Sequence, residues 1–375
     1  MDRSEVMVAI KAPAQYFNEP GILAKSGELI APYGKKALII TGHKALHTVR
    51  TQLLLSLQQA GVEYAISQFE GKVTTEEIAT YTSEAIAHQA ELLIGIGGGK
   101  ALDITKVVGE KLRLPVVAVP TIAATCASWA ALSVIYDDQG RSSGYLGLTS
   151  SPVLVLADTQ ILVEAPRRYL AAGIGDTIVK WYETVVNVND EPEGLDIRIS
   201  TQISKLALDR LHTYALQAIQ TAGTGTITPA FKEAVDAVIV LAGLAGTVQG
   251  GTARAGIAHS LDSSLTHFPQ TSGTLHGERV AFGLLTQTVL EKRPAEEIER
   301  LARLLISLKL PVTLKQLGFE DLPATVAPLI AAGVPLRVEA IRNLSFEVTP
   351  SLLHEAILQT DQLGLNILQG TYITH

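Results

Sequence analysis

The residues of this chain best suited to hold a metal ion are an aspartate and two distant histidines. Asp176 lies in AAGIGDTIVKWYE (171–183), after a Gly-x-Gly pair and ahead of an apolar helical run. The ordinary role of an aspartate there is to cap a helix, accepting hydrogen bonds from its first free N–H groups. The sharper role is metal ligation, with partners in GIAHSLDSSLTHFPQTSGTLHGERVAFG (256–283). There His259 follows a stretch of small residues, and His276 precedes Gly277 at the start of an expected helix. A lone histidine in an apolar helix is more often a core residue than a ligand. Two of them plus a hinge-placed aspartate in one helical region shift that balance. Imidazole nitrogen and carboxylate oxygen suit zinc or ferrous iron, and three protein donors leave a position for a substrate oxygen. The separation of His259 and His276 is unlike a compact His-Glu-x-x-His, and His267 competes on composition alone.

A second chemical signal is GIGGGK (95–100), which closes an expected strand and opens a helix. Glycines let a phosphate approach the backbone, the helix N-terminus offers N–H groups, and Lys100 adds a charge. The same kind of turn also serves as a plain tight connection. It is not the Gly-x-Gly-x-x-Gly fingerprint that normally ends a first strand. Asp103, in the same first helical turn, reads as a solvated carboxylate or as a polar partner near a nicotinamide. The next strand runs into VPTIAATCASWAALSVIY (119–136), whose small polar residues suit a ligand crevice and equally an ordinary loop.

These residues need elements to position them. KKALIITG, YAISQFEG, ELLIGIGGG, LPVVAVPT and SPVLVLAD read as strands, with helical periods between the first four. Strands alternating with helices of this length imply a parallel sheet covered on both faces. SVIYDDQGRSSGYLGL reads as a hairpin with a DDQG turn. From about Pro166 the texture becomes helical, as in DIRISTQISKLALDRLHTYALQAIQ and TPAFKEAVDAVIVLAGLAGTVQGG. The boundary falls near residues 160–166, separating an α/β domain of 1–162 from an all-α domain of 163–375.

Composition narrows the function further. The 375 residues exceed one typical core, and 47% hydrophobic with 18% charged residues mark a well-buried globular protein. A net charge of −7 without a basic stripe argues against nucleic acid as a partner. The single cysteine, Cys126, fits a reducing compartment. No apolar run approaches the about 20 residues of a membrane span, and the N-terminus lacks a secretory pattern. A cytoplasmic protein with a small-molecule substrate is expected.

Taken together, GIGGGKALDITK, VPTIAATCASWAALSVIY, YLAAGIGDTIVKWYE, GIAHS and LHGERVAFG resemble the iron-containing (group III) alcohol dehydrogenase family, specifically its glycerol dehydrogenase-like branch. The resemblance runs from about residue 8 to beyond residue 340. It implies a Rossmann-like NAD(P)-binding domain followed by an all-helical metal-binding domain, the fold shared with dehydroquinate synthase. It implies that Asp176, His259 and His276 bind a divalent ion, zinc or iron. It places Gly97, Gly98, Gly99 and Lys100 on the cofactor pyrophosphate, with Asp103, Thr121, Leu132 and Tyr136 at further cofactor positions. It also implies a homo-oligomer.

Three departures from the family pattern bear on substrate and cofactor. Members that recognise glycerol carry an aspartate where this chain has Cys126, which removes an acceptor for a polyol hydroxyl. PTIAATCASW and GIGDTIVKWYE are closer to the hydroxycarboxylate dehydrogenase members, which reduce 2-oxo acids. After the first expected strand, Gly42, His43 and Lys44 stand where many NAD-using relatives place an acid for the ribose 2′-OH; NADP therefore fits as well as NAD. Asp262 stands where the family often has a second histidine, and with Cys126 it is assigned to the substrate pocket. The expected activity is metal-assisted hydride transfer between a nicotinamide and a small hydroxy compound, leaning to 2-hydroxy and 2-oxo acids. The alternatives are glycerol dehydrogenase proper, a dehydroquinate synthase-like lyase, and an inactive binding protein that keeps the fold.

Overall fold

Short aliphatic and β-branched runs, several closed by Gly or Pro, become strands, and the amphipathic segments between them become helices. The computed structural model describes residues 8–187, 194–250, 254–320 and 323–370. Its strands are β1 (Ala9–Ile10), β2 (Gln15–Glu19), β3 (Lys36–Thr41), β4 (Glu63–Gln68), β5 (Leu92–Gly97), β6 (Val116–Pro120), β7 (Leu132–Tyr136), β8 (Ser142–Gly147), β9 (Leu154–Asp158) and the short β10 (Val248–Gln249). Six of them form one sheet in the order β2-β9-β6-β5-β3-β4, and every pair is parallel.

Alternate residues feed two cores, as the pleat requires. Ile39, Ile94, Ile96, Val117 and Leu156 lie in one apolar cluster, while Leu38, Ile40, Leu93 and Val116 lie in another. Burial on both sides explains why these strands read as continuous apolar runs. The helices between them are α1 (Ser26–Ile30), α2 (His43–Gln59), α3 (Thr75–Ala87) and α4 (Gly99–Leu112), with α5 (Thr159–Glu164) after β9. β7 and β8 form the expected antiparallel hairpin. Its turn is fastened by Asp137, which accepts from Gln139 N at 3.0 Å and Arg141 N at 2.9 Å.

Beyond α5 the described residues are nearly all helical. The elements are α6 (Arg167–Val185), α7 (Leu195–Thr221), α8 (Pro229–Asp236), α9 (Ala242–Thr247), α10 (Ile257–Leu265), α11 (His276–Leu290), α12 (Ala295–Ser307), α13 (Pro323–Ala332), α14 (Val338–Ile341) and α15 (Pro350–Leu368). Ile257, Leu261, Leu265, Phe282, Leu317, Phe319, Ile330 and Leu353 anchor a separate helical core.

Packing divides the chain into two compact units, one of Ala9–Leu170 with Gln217–Val248, the other of Ala171–Leu216 with the residues from Gln249 onward. The segment 217–248 thus packs with the sheet, although its helical texture had grouped it with 163–375. Polar contacts supply one reason. Asp236 at the end of α8 accepts from Tyr16 Oη at 2.7 Å and Asn18 Nδ2 at 2.8 Å, both on β2. No described helix is long and apolar enough to cross a membrane.

Candidate metal centre and cofactor turn

Helix α6 runs unbroken through Gly173 and Gly175, so Asp176 lies in the helix interior and is not an N-cap. The expected hinge is instead a place of close helix approach. A Cβ on Gly277, the second residue of α11, would fall 1.9 Å from the Ala172 carbonyl oxygen. Only a residue without a side chain lets α11 cross α6 this closely, and that crossing brings His276 to Asp176. His276 is the first residue of α11, whose start is secured by Leu275 N donating to Glu278 Oε2 at 2.7 Å. His259 lies near the beginning of α10.

Asp176, His259 and His276 offer donor atoms that all lie within 4.8 Å of one another, the only such metal-ligating group among the described residues. Asp176 Oδ1 is 3.2 Å from His259 Nε2 and 3.6 Å from His276 Nε2. Both rings are held from behind. His259 Nδ1 lies 2.5 Å from Glu183 Oε2, and Glu183 Oε1 also accepts from the His259 backbone N–H at 2.9 Å. His276 Nδ1 lies 2.9 Å from Asp262 Oδ2, and Asp262 Oδ1 accepts from Arg279 Nε at 2.7 Å. A carboxylate at Nδ1 fixes the proton there and leaves the Nε2 lone pair for an ion, an arrangement typical of metal-bound histidines. One carboxylate oxygen and two imidazole nitrogens so presented fit zinc or ferrous iron. His267 is not in the group.

The electrostatics follow from burial and pairing. Burial pushes the Asp176 carboxyl up, but the Lys180 ammonium and hydrogen bonds from both histidines hold it well below the usual carboxylate range. Burial would lower His276, yet the Asp262 charge beside it raises it to about 10. Asp262, also pushed up by burial, is brought down to about 2 by His276 and Arg279. Glu183 and His259 shift likewise: burial pushes the Glu183 carboxyl up but His259 beside it draws it down, and burial would lower His259 but the Glu183 charge raises it.

Two residues of this centre were not singled out in the sequence. Lys180 Nζ lies 3.2 Å from Asp176 Oδ1 and 3.1 Å from His259 Nε2. Lys180 and Glu183 follow Asp176 at i+4 and i+7, so the spacing that puts all three on one helix face was present in the sequence. Asp262 was expected to line the substrate pocket; its buried carboxylate turns to His276 and Arg279 instead. It stands three residues after His259, one turn along α10.

The sheet unit carries the second constellation. β4 follows β3 as its neighbour on one side, and the chain then crosses to β5 on the other. The C-terminal ends of β3 and β5 therefore flank a switch point, where open α/β sheets bind ligands. Gly97 ends β5 with φ +141°, a conformation that favours glycine, and its carbonyl accepts from Thr121 N at 3.1 Å. Gly98 caps α4 and Gly99 opens it. Lys100 Nζ lies 4.7 Å from the centre of the Tyr136 ring, joining two expected cofactor positions. Leu132 is exposed at the start of β7. Gly42 precedes α2, and the side chains of His43 and Lys44 are exposed on its first turn.

Asp103 differs from the solvated carboxylate considered above. It is buried, pairs with Lys106 at 3.0 Å and accepts from Val134 N at 3.3 Å, so its carboxylate fastens β7. Cys126 is half-buried in the loop after β6, where its carbonyl accepts from Trp129 N at 2.9 Å and Ala130 N at 3.0 Å.

The chain is similar to known proteins over nearly its whole length. Residues 13–159 match the family model described as iron-containing alcohol dehydrogenase. The chain is 34% identical over 365 residues to a glycerol dehydrogenase of Escherichia coli, covering 96% of this chain and 98% of that protein. It is 32% identical over 364 residues to hydroxycarboxylate dehydrogenase A of Escherichia coli, covering 96% and 99%. The crystal structure of glycerol dehydrogenase from Schizosaccharomyces pombe superposes with a TM-score of 0.87 at 29% identity, over 98% of this chain and 93% of that one. The chain belongs to the iron-containing alcohol dehydrogenase family. It is an oxidoreductase acting on alcohol groups, with a nicotinamide cofactor and one divalent metal, zinc or iron.

Proposed function

We propose that Asp176, His259 and His276 hold the divalent ion and that the turn Gly97–Gly98–Gly99–Lys100 receives the cofactor pyrophosphate, with residues 1–162 as cofactor domain, joined in packing by 217–248, and the rest of 163–375 as metal domain. We further propose that the preferred substrate is a small 2-hydroxy or 2-oxo acid. The observation that carries the reading is the convergence of three donors with both Nδ1 atoms held by carboxylates. When bound, the ion supplies Lewis acidity toward a substrate oxygen and the nicotinamide carries the hydride. The protein's own part is positioning. Glu183 and Asp262 orient the two imidazoles, Arg279 holds Asp262, and the close crossing at Gly277 sets the spacing of α6 and α11. The residues from Thr121 to Tyr136 border the cofactor turn, and Asp103 keeps β7 in place without touching substrate.

The acid preference is supported by the similarity to hydroxycarboxylate dehydrogenase A and by Cys126, which offers no carboxylate to a polyol hydroxyl and does not repel an anion. A second reading, glycerol as substrate, is favoured by the similarity to glycerol dehydrogenases. A homo-oligomer in the cytoplasm is the proposed setting, supported by the family resemblance and the single cysteine. The test is a panel of glycerol, 1,2-diols, 2-hydroxy acids and 2-oxo acids with each nicotinamide cofactor. Reduction of 2-oxo acids should exceed oxidation of glycerol; strong glycerol turnover without a 2-oxo acid signal reverses the preference.

A further inference from the structure

We propose that Lys180 is the residue that receives the carboxylate of the substrate and so determines the choice between anionic and neutral substrates. The inference rests on the 2-hydroxy acid reading above and names the group that produces it. Lys180 stands one turn after Asp176 on α6, and its ammonium touches two of the three metal donors, Asp176 Oδ1 and His259 Nε2. A divalent ion held by those atoms would repel the ammonium and displace it from both contacts. The long unbranched stem of lysine then lets the charge swing aside while staying beside the ion. A 2-oxo or 2-hydroxy acid presents its carboxylate on the carbon next to the reacting one. With the reacting oxygen toward the ion, that carboxylate would lie within reach of a displaced ammonium, alongside the Asp176 and Glu183 carboxylates that already interact with Lys180.

The charge balance points the same way. Asp176, Glu183 and Asp262 are the carboxylates of the centre, and Arg279 pairs with Asp262. With both imidazoles neutral as ligands, a divalent ion and Arg279 would together offset those three carboxylates, and Lys180 would contribute the surplus positive charge. A neutral polyol makes no use of that surplus, whereas a monoanionic acid neutralises it. Helix position, contact and charge thus agree on a single role.

The test combines binding and turnover. Oxamate, a non-reducible analogue of a 2-oxo acid, is titrated calorimetrically into the zinc-loaded protein with reduced cofactor, for wild type, Lys180→Met and Lys180→Arg. The ratio of kcat/KM for a 2-oxo acid to that for a neutral hydroxyketone is measured alongside. Wild type should bind oxamate. Lys180→Met should lower both oxamate affinity and the acid-to-neutral ratio by on the order of 100-fold, and Lys180→Arg should recover part of each. Unchanged oxamate affinity and an unchanged ratio in zinc-loaded Lys180→Met overturn the proposal. Wild type that binds zinc and turns over neutral substrates but ignores oxamate overturns it while the dehydrogenase reading stands. Wild type that retains no zinc and turns over neither class overturns both.

Discussion

Asp262 holds the imidazole of His276 from behind, with Oδ2 2.9 Å from Nδ1, and is itself fixed by Arg279 at 2.7 Å. In the family pattern a second histidine is common at that position, so the aspartate first reads as a loss. Its contacts give it a different task, to set the tautomer and angle of a ligand. Asp262→Asn keeps the shape and removes the charge. Zinc affinity should fall about 10- to 100-fold, as for other orienting partners of metal-bound histidines, while the fold survives. A chelator-competition titration measures this, and unchanged affinity contradicts the role.

Lys180 gives a prediction of opposite sign. Its ammonium lies 3.2 Å from Asp176 Oδ1 and 3.1 Å from His259 Nε2, so it competes with an ion for both atoms. Lys180→Met should bind zinc more tightly than wild type, by about tenfold for each 1.4 kcal/mol of repulsion removed. The same competition titration checks it. Weaker zinc binding would mean that the lysine helps to build the site.

Gly277 tests the packing that assembles the centre. Its missing side chain is what admits the Ala172 carbonyl, 1.9 Å from where a Cβ would stand. Gly277→Ala should cost about 1–3 kcal/mol through overpacking, or more if the helices cannot part. Thermal unfolding should occur several degrees lower, and bound metal should fall with it because His276 is the preceding residue. A variant as stable and as metal-rich as wild type contradicts the close crossing.

Lys44, exposed on the first turn of α2, is the expected partner for a 2′-phosphate. Lys44→Glu should shift the NADPH-to-NADH ratio of kcat/KM toward NADH by about tenfold or more. No shift would remove the residue from the cofactor site.

The sheet was legible because its strands are aliphatic runs buried on both faces, as at Leu92–Gly97. β2 was not, since QYFNE is short and mixed, and its buried Asn18 is satisfied by partners distant in sequence, Thr159, Lys232 and Asp236. Likewise, the helical texture of 217–248 carries no mark of the unit it packs with; the contacts of Asp236 do. Gly173 and Gly175 read as a hinge because glycine weakens an isolated helix. Tertiary contact with α11 overrides that weakness, and α6 continues through them. At the centre, residue types and the family resemblance pointed to Asp176, His259 and His276. Their orienting carboxylates were hidden because Glu183 and Asp262 act across helices, on rings whose direction only the folded chain defines.

The central claim is that these three side chains share one ion. Diffraction from zinc-soaked crystals, recorded above and below the zinc absorption edge, tests it most directly. The account predicts one anomalous peak per chain, bonded to Asp176 Oδ and to Nε2 of His259 and His276 at about 2.0–2.2 Å. A peak elsewhere, or none at these atoms with Lys180 still seated on Asp176, would contradict it.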